Sequence, residues 1–372
     1  MDPRNELLRP TWVEIDLDAL RNNTAEIRRI IGPEVKLIAV LKGNAYGCGL
    51  SETIETLSQT DIYGFAVGNI YEAIETRKIT NRPILLFGNT LINAIPEIRR
   101  HHLIPSIGDL EWARAYSSAA AGGPPGGIFV KVDIGLNRLG VPLAEALPFF
   151  EEIRRLPGIR IEGIQTHITG SKDDVENAFK EFIGLISALE KRGFEIPVKL
   201  GAQSQLIAQS PFTYLNAVDP GKMIYGIASY KIEVDIRLQP AFVKLASRFI
   251  HIKRKTVNFQ GGPGPIGVVP LGMADGLPSV YAQNGEALVH GRRVPIIAVH
   301  AEHTRINLSA VPGVAIGDEV IFIGSQGEKK IDFYEVSKKC YKTESELLRA
   351  LSRCLPRVYI RNGSPCKTVP VL

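Results

Sequence analysis

Short apolar runs alternate with amphipathic segments from about residue 12 to residue 240. Segments such as DVENAFKEFIGLISALEKRG (174–193) space their apolar residues three and four apart, which indicates helices packed on one face. Seven or eight strand–helix units of roughly 25–30 residues predict a parallel sheet closed into a (β/α)8 barrel. An open, doubly wound sheet is the alternative, but no glycine-rich dinucleotide-binding pattern follows the first run. The apolar runs are KLIAV (36–40), YGFAV (63–67), PILLFG (83–88), IPSIG (104–108), GIFVKVDIG (127–135), IRIEGIQTHI (159–168) and PVKLGAQS (197–204).

The pattern changes near residue 243, where glycine and proline become dense, as in GGPGPIGVVPLG (261–272). We therefore predict a barrel over residues 1–242 and a second, mainly β domain over 243–372. A helix is expected over about 343–353, because Thr343 and Glu346 have the spacing of a capping box. The strand candidates of this domain are EALVHG (286–291), RVPIIAVHAE (293–302), EVIFIG (319–324) and KKIDFYEV (329–336).

Composition narrows the class of protein. A hydrophobic content of 45% and a charged content of 22% are typical of soluble globular proteins, and the net charge of +5 is spread along the chain. Nothing in this distribution indicates a nucleic-acid partner. The N-terminus has no apolar signal core and no run is long enough to span a membrane. Four cysteines without paired spacing indicate neither a metal site nor a disulfide framework, so a cytoplasmic location is expected.

Polar side chains follow several of the predicted strands, at the end of a barrel that carries chemistry. Lys42 comes two residues after KLIAV; a lysine partly desolvated there can lose its proton and form a Schiff base, most commonly with pyridoxal phosphate. Tyr46 and Ser204 offer hydroxyl groups to a phosphate, and the loop DPGKM (219–223) offers backbone N–H groups around a glycine. A solvent-exposed lysine after a strand is the alternative. The other polar strand-end residues are Lys131, Asp133, Arg138, Thr166, His167 and Gln203.

Several motifs, in order along nearly the whole chain, resemble those of the alanine racemase family. They are RPTWVEIDLDALRNN (9–23), KLIAVLKGNAYGCG (36–49), KVDIGLNRLG (131–140), GDEVIFIG (317–324) and LSRCLPRVY (351–359). The resemblance implies a pyridoxal 5′-phosphate enzyme that acts on an amino acid, with a barrel and a C-terminal β domain. It also implies a homodimer in which each active site takes residues from the partner's C-terminal domain.

The resemblance assigns roles to individual residues. It implies that Lys42 binds the cofactor and acts as one catalytic base, and that Arg138 lies near the substrate carboxylate. Lys131 matches a lysine that supports this arginine and is often carbamylated, and His167 matches a histidine beneath the cofactor ring. The remaining cofactor-binding positions implied by the resemblance are Tyr46, Gln203, Ser204, Asp219, Gly221, Lys222, Tyr225 and Ser345.

The chain departs from the family where the second catalytic base is expected. The family has a tyrosine in this stretch, whereas LGMADGL (271–277) has Met273, whose thioether carries no removable proton. His300, in the strand AVHAEHTRINLS (298–309), is a candidate replacement acid or base because histidine titrates near neutral pH. A solvated strand end is the alternative role for His300. Tyr281 could also supply a hydroxyl, although a structural role is the more ordinary one.

A second departure concerns the cofactor's pyridine nitrogen. Asp219, in VDPG (218–221), stands where the family has an arginine, and Ser345 and Gln203 replace a tyrosine and an asparagine. A carboxylate beside the pyridine nitrogen favours its protonation and the quinonoid chemistry that follows. The alternative is that Asp219 caps the next turn.

Three functions stay open at this point. The first is an amino-acid racemase or epimerase with an altered second base. The second is a decarboxylase, an aldolase or another enzyme of quinonoid chemistry on the same scaffold. The third is a pyridoxal-phosphate-binding protein without turnover, which the presence of Lys42, Lys131 and Arg138 disfavours.

Overall fold

The barrel predicted from the alternating pattern is present. The structure, a computed structural model, describes residues 4, 7–88, 90–120, 122–254, 264–351 and 354–370. Within these residues eight parallel strands form a closed circle, which is completed where Ala217–Asp219 pairs with Lys36–Val40. The short strand Val141–Pro142 pairs in parallel with the end of Gly126–Asp133. The barrel strands are Lys36–Val40, Gly64–Val67, Ile84–Leu86, Ile104–Ile107, Gly126–Asp133, Ile159–Gln165, Val198–Gln203 and Ala217–Asp219.

Helices cover the outside of the barrel. The helix Lys172–Lys191 begins where the Ser171 side chain accepts a hydrogen bond from the backbone of Asp174, and it buries Val175, Phe179 and Phe182 along one face. Side-chain N-caps also begin the helices Leu17–Ile31, Ile70–Ile79 and Leu110–Ser118. The helices of this region are Leu17–Ile31, Leu50–Leu57, Ile70–Ile79, Ile95–Arg100, Leu110–Ser118, Leu143–Ile153, Lys172–Lys191 and Ser204–Gln209.

The second domain is built on a mainly antiparallel sheet, as predicted. Its first strand in the chain is Thr11–Asp16, which lies between Phe242–Arg248 and Arg357–Arg361. A division of the chain between residues 242 and 243 leaves this strand on the barrel side, although it pairs within the C-terminal sheet. The other strands of this sheet are His251–Lys253, Ile266–Val269, Glu286–Val289, Arg292–Val299, Thr304–Asn307, Glu319–Gln326, Lys329–Ile331 and Ser364–Val369.

Two elements near the C-terminus agree with their predictions to different extents. The segment KKIDFYEV is a strand only over Lys329–Ile331, because the Asp332 side chain then caps the helix Phe333–Lys339. The helix expected over 343–353 is present as Glu344–Leu351, and residues 352 and 353 lie outside the described residues. Its capping box forms: the Thr343 N–H donates to the Glu346 carboxylate at 2.8 Å, and the Glu346 N–H donates to Thr343 Oγ1 at 3.3 Å.

The C-terminal sheet contacts the barrel directly behind Lys42. Arg357 Nε donates a hydrogen bond to the carbonyl of Gly47 at 2.9 Å, and the Tyr359 hydroxyl donates to the carbonyl of Cys48 at 3.0 Å. The Tyr359 ring leaves no room for a Cβ atom at Gly49. A shared apolar core runs through both domains. Among the described helices, none has the length and apolar character needed to cross a membrane.

Candidate active site

A cavity of about 400 Å³ opens at the carboxyl ends of the barrel strands. Parallel strands in a barrel bring their carboxyl ends to one rim, so residues far apart in sequence meet there. The cavity gathers most of the residues predicted from the strand ends and from the resemblance. Those that line it are Lys42, Tyr46, Lys131, Arg138, His167, Gln203, Ser204, Asp219, Gly221 and Lys222.

A left-handed turn follows Lys42. The five residues Gly43 to Gly47 all have positive φ angles, of 71°, 55°, 53°, 53° and 88°. Each L-residue in this conformation costs about 1–2 kcal/mol, so the turn needs support from its surroundings. The carboxylate of Glu72 accepts from the Asn44 N–H at 2.8 Å, and Asn44 Oδ1 accepts from the Leu50 N–H at 2.8 Å. Together with the bonds from Arg357 and Tyr359, these contacts hold Lys42 and Tyr46 in one cavity.

One wall of the cavity is suited to a phosphate group. Ser204 Oγ accepts hydrogen bonds from the N–H groups of Gly221 at 2.9 Å and Met223 at 3.3 Å, so its own proton is free to point elsewhere. A Cβ atom at residue 221 would collide with the Tyr46 hydroxyl, and glycine keeps this backbone open. Burial raises the pKa of Tyr46 to about 12, so its hydroxyl stays a neutral donor. The buried Tyr230 hydroxyl lies on the same wall, where burial raises its pKa and an interaction with the Ser204 hydroxyl opposes that shift.

Desolvation lowers the pKa of the basic residues in the cavity. Burial lowers the pKa of Lys42, and the charges of Arg349, Arg138 and Lys222 lower it further, whereas Asp219 opposes the shift. Burial also lowers the pKa of Lys131, assisted by Arg138.

His167 is affected in the same way. Burial, with the charge of Lys131, lowers the pKa of His167 to about 4. His167 is therefore neutral at physiological pH, and the surplus of positive charge in the cavity sits on lysine and arginine.

Asp219 is the one acidic residue among the described residues that line the cavity. Burial raises the pKa of its carboxyl to about 7, against the opposing attraction of Lys42 and Lys131. The N–H groups of Gly221 and Met223, which a capping aspartate would bind, donate to Ser204 instead. Its carboxyl therefore lies in the electrostatic field of Lys42 and Lys131, and the backbone N–H groups of the next turn are bound by Ser204.

Arg138 is held by a loop that Asp133 organises. The carboxylate of Asp133 accepts from the N–H groups of Gly135 at 2.9 Å, Asn137 at 3.1 Å and Arg138 at 3.0 Å. These bonds close the loop after the strand Gly126–Asp133, so that Arg138 lines the same cavity as Lys131.

Three predicted site residues lie outside the cavity. The Tyr225 hydroxyl donates to the carbonyl of Val40 at 2.9 Å, and its ring packs against that of Tyr46 with centroids 4.7 Å apart. Tyr225 therefore supports Tyr46 from behind. Ser345 is buried in the helix Glu344–Leu351, where its hydroxyl lies 3.4 Å from that of Thr343. His300 is exposed on the C-terminal domain.

The segment that contains Met273 lies beside His300. The Met273 N–H donates to the His300 carbonyl at 2.9 Å, and the Ala274 N–H donates to the Ala301 carbonyl at 2.8 Å. Met273, Ala274 and residues 300–303 are all exposed and form what we call the exposed ledge. Tyr281 has a structural role, because it is buried and its hydroxyl donates to the Glu286 carbonyl. The described residues contain no cluster of potential metal ligands.

Sequence reasoning missed three residues that line the cavity or act on Lys42. Tyr230 lies in an irregular segment without periodicity. Gln165 donates to Ser106 and leaves its side-chain oxygen buried without a partner in the described chain. Arg349 lies on a helix of the C-terminal domain, with its guanidinium 5.2 Å from the centre of the Tyr46 ring. A polar residue inside a strand signalled Gln165, but only the fold identifies the other two.

Comparison with known proteins agrees with this arrangement. The family profiles described as "Alanine racemase, N-terminal domain" and "Alanine racemase, C-terminal domain" match residues 15–229 and 258–359. The chain is 33% identical to Alanine racemase 2 of Caldanaerobacter subterraneus, over 96% of each chain. It is 32% identical to an alanine racemase of Methanococcus maripaludis, over 94% of this chain and 99% of the relative.

Solved structures give the same result. The alanine racemase of Clostridium difficile 630 superposes with a TM-score of 0.90 at 28% identity, covering 98% of this chain and 99% of that chain. The alanine racemase of Bacillus anthracis with bound L-Ala-P superposes with a TM-score of 0.89 at 26% identity, covering 98% of each chain. On the strength of both domain matches and of relatives above 30% identity, the chain belongs to the alanine racemase family, whose members depend on pyridoxal 5′-phosphate.

Proposed function

We propose that the chain is a pyridoxal 5′-phosphate-dependent amino-acid racemase or epimerase whose second acid–base group is not a tyrosine. The observation that carries the proposal is Lys42, a lysine with a lowered pKa that shares one cavity with a phosphate-binding wall and Arg138. The substrate is a free amino acid. A cytoplasmic location is part of the proposal and is supported by four cysteines that are all unpaired.

The donors in the cavity fit this cofactor. The open backbone at Gly221 and the hydroxyl groups of Ser204 and Tyr230 are suited to phosphate oxygens. In the proposal, Tyr46, Ser204 and the backbone of Gly221 and Lys222 hold the phosphate, and Lys42 holds the cofactor's carbonyl carbon. When bound, the cofactor draws electrons from the α-carbon of an amino acid and so makes its proton easier to remove.

In the proposal, Lys42 and Arg138 act on different parts of the substrate. Because its pKa is lowered, Lys42 gives up its own proton more readily and can then accept the α-proton on one side of the substrate. Arg138, held by the Asp133 loop, binds the substrate carboxylate. Lys131 lines the cavity beside this arginine and its own lowered pKa reduces the repulsion between the two cations.

A test of the function uses a panel of L- and D-amino acids with the purified enzyme. Chiral chromatography is expected to show conversion of at least one amino acid into its enantiomer or epimer, starting from either form. Lys42→Ala should lower the rate by at least about a thousandfold, because it removes both the cofactor attachment and one base. A matched control is Lys36→Ala, outside the cavity. An enzyme that binds the cofactor but exchanges no enantiomers would contradict racemisation.

Asp219 supports a second candidate function on the same scaffold. A carboxyl with a pKa of about 7 can hold a proton at the cofactor's ring nitrogen, and this increases the electron withdrawal that the cofactor provides. Stronger withdrawal also suits decarboxylation or cleavage of the bond to the side chain. Mass spectrometry of the same reactions separates these outcomes. Decarboxylation lowers the mass of the substrate by that of CO2, whereas aldol cleavage shortens its side chain.

The state of Asp219 can be measured without the cofactor. The folded pKa of about 7 lies above the ordinary value for aspartate, so the wild type loses stability as the pH rises towards 7 and this loss is complete above it. Asparagine carries no charge at any pH. The thermal midpoint of cofactor-free Asp219→Asn, relative to that of the wild type, should therefore rise by at least about 2 °C from pH 5 to pH 8.

The control for this comparison is Glu181→Gln, an exposed carboxyl on the helix Lys172–Lys191, for which the difference should stay constant. A constant difference for Asp219→Asn as well would mean that its carboxyl is ionised throughout this range, and the proton-holding role would be wrong.

The second acid–base group is part of the proposal, and His300 on the partner chain is its candidate. The exposed ledge places this histidine next to Met273, away from the chain's own cavity. A homodimer that sets each ledge against the other chain's cavity would bring an imidazole to the side of the substrate opposite Lys42.

Mixing two inactive variants tests this dimer. Lys42→Ala and His300→Ala should each be nearly inactive, and co-refolding them should restore up to about a quarter of wild-type activity. The reason is that half of a random mixture consists of mixed dimers with one intact site each. Light scattering that finds an active monomer would refute the dimer, and full activity in His300→Ala would refute the role of His300.

A further inference from the structure

Arg349 is a cation that acts on Lys42 and that the family resemblance did not indicate. It lies on the helix Glu344–Leu351 of the C-terminal domain, and its guanidinium sits 5.2 Å from the centre of the Tyr46 ring. Among the charged groups that lower the pKa of Lys42, Arg349 has the largest effect. It also lowers the pKa of Tyr46, against the effect of burial. Arg349 therefore acts electrostatically on Lys42 and on Tyr46, the residues proposed to hold the carbonyl carbon and the phosphate of the cofactor.

The chain leaves space for this side chain. A Cβ atom at Gly43 would lie 2.7 Å from Cδ of Arg349. The lack of a side chain at this first glycine of the left-handed turn therefore makes room for the arginine side chain. A residue with a side chain at position 43 would be strained by the positive φ and would displace Arg349 as well.

The carboxylate of Glu346, on the same helix, is affected by the charge of Arg349, but it is exposed and already accepts hydrogen bonds from Thr343. Arg349 itself is half-buried, and no carboxylate of the described residues forms an ion pair with it. Half-buried arginines are ordinarily paired, because a guanidinium that loses water needs another anion or acceptor nearby. Lys42, Arg138 and Lys222 add further positive charge to the same region. An anion on the Lys42 and Tyr46 side of Arg349 is therefore expected to come from a ligand.

We propose that Arg349 is a positioning residue that secures the phosphate end of the cofactor from the C-terminal domain of the same chain. The inference rests on the proposed function. Its charge orients the Tyr46 ring by a cation–π contact, strengthens the Tyr46 hydroxyl as a donor and is neutralised when the phosphate binds. Cofactor binding and the packing of the C-terminal helix are coupled through this one residue.

The test compares pyridoxal 5′-phosphate with pyridoxal, which lacks the phosphate, on cofactor-free protein. Arg349→Met keeps a long side chain along Gly43 but removes the charge. It should weaken binding of pyridoxal phosphate by about tenfold or more, the effect of a charged contact, and binding of pyridoxal by less than about threefold. Arg349→Lys keeps the charge and should bind the phosphate form within about threefold of the wild type. Affinities come from titration of the visible absorption of the bound cofactor.

Lys342→Met is the matched control, since it removes an exposed cation just before the same helix and should leave both affinities unchanged. Equal weakening of both ligands by Arg349→Met, or no weakening of either, would overturn the inference while leaving the cofactor assignment intact. A wild type that binds neither ligand would overturn the proposed function and the inference with it. Should Arg349→Met fail to fold, Arg349→Gln allows the same comparison.

Discussion

The site depends on one backbone constraint, the left-handed turn from Gly43 to Gly47. An ordinary right-handed helix after Lys36–Val40 would carry Tyr46 along a different path from the one that brings it beside Gly221 in the cavity. The turn is costly, and its support comes from both domains: Glu72 bonds its backbone from the barrel, whereas Arg357 and Tyr359 bond the carbonyls of Gly47 and Cys48 from the C-terminal sheet. The strand that carries these two residues pairs with Thr11–Asp16, so the two ends of the chain cooperate in holding the lysine. The C-terminal domain is thus part of the active-site scaffold of its own chain.

Electrostatics follow from this geometry. The turn and the strand ends collect several cations in a partly desolvated cavity, where Asp219 is the one acidic residue among the described lining residues. Desolvation destabilises each isolated charge, and like charges add to the effect, so Lys42, Lys131 and His167 all give up protons more readily than in water. In the proposed function, the phosphate of the cofactor and the carboxylate of the amino acid would offset this positive charge at two points.

Much of the barrel could be predicted from the sequence, because its strands are buried on both faces and read as continuous apolar runs; KLIAV occupies the predicted residues 36–40. The strand Thr11–Asp16 could not be assigned to its sheet, since its partners are more than two hundred residues away in the chain. The segment KKIDFYEV changes from strand to helix at Asp332, which caps the helix. The apolar pattern of the segment predicts a strand throughout and so hides this local capping signal. Strand ends indicated the residues of the cavity, whereas Arg349 and Tyr230 reach the site from a distant helix and an irregular loop. Side chains of that kind carry no periodic signal, and only the folded chain identifies them.

The central claim is that this turn presents Lys42 to the cofactor. Borohydride reduction of the enzyme loaded with pyridoxal 5′-phosphate fixes the cofactor to whichever lysine holds it, and peptide mapping by mass spectrometry then identifies that lysine. The account predicts a yellow protein that loses its visible absorption on reduction, with one equivalent of phosphopyridoxyl group on the peptide that contains Lys42. A protein that stays colourless with added cofactor, or a label on Lys131 or Lys222 instead, would contradict it.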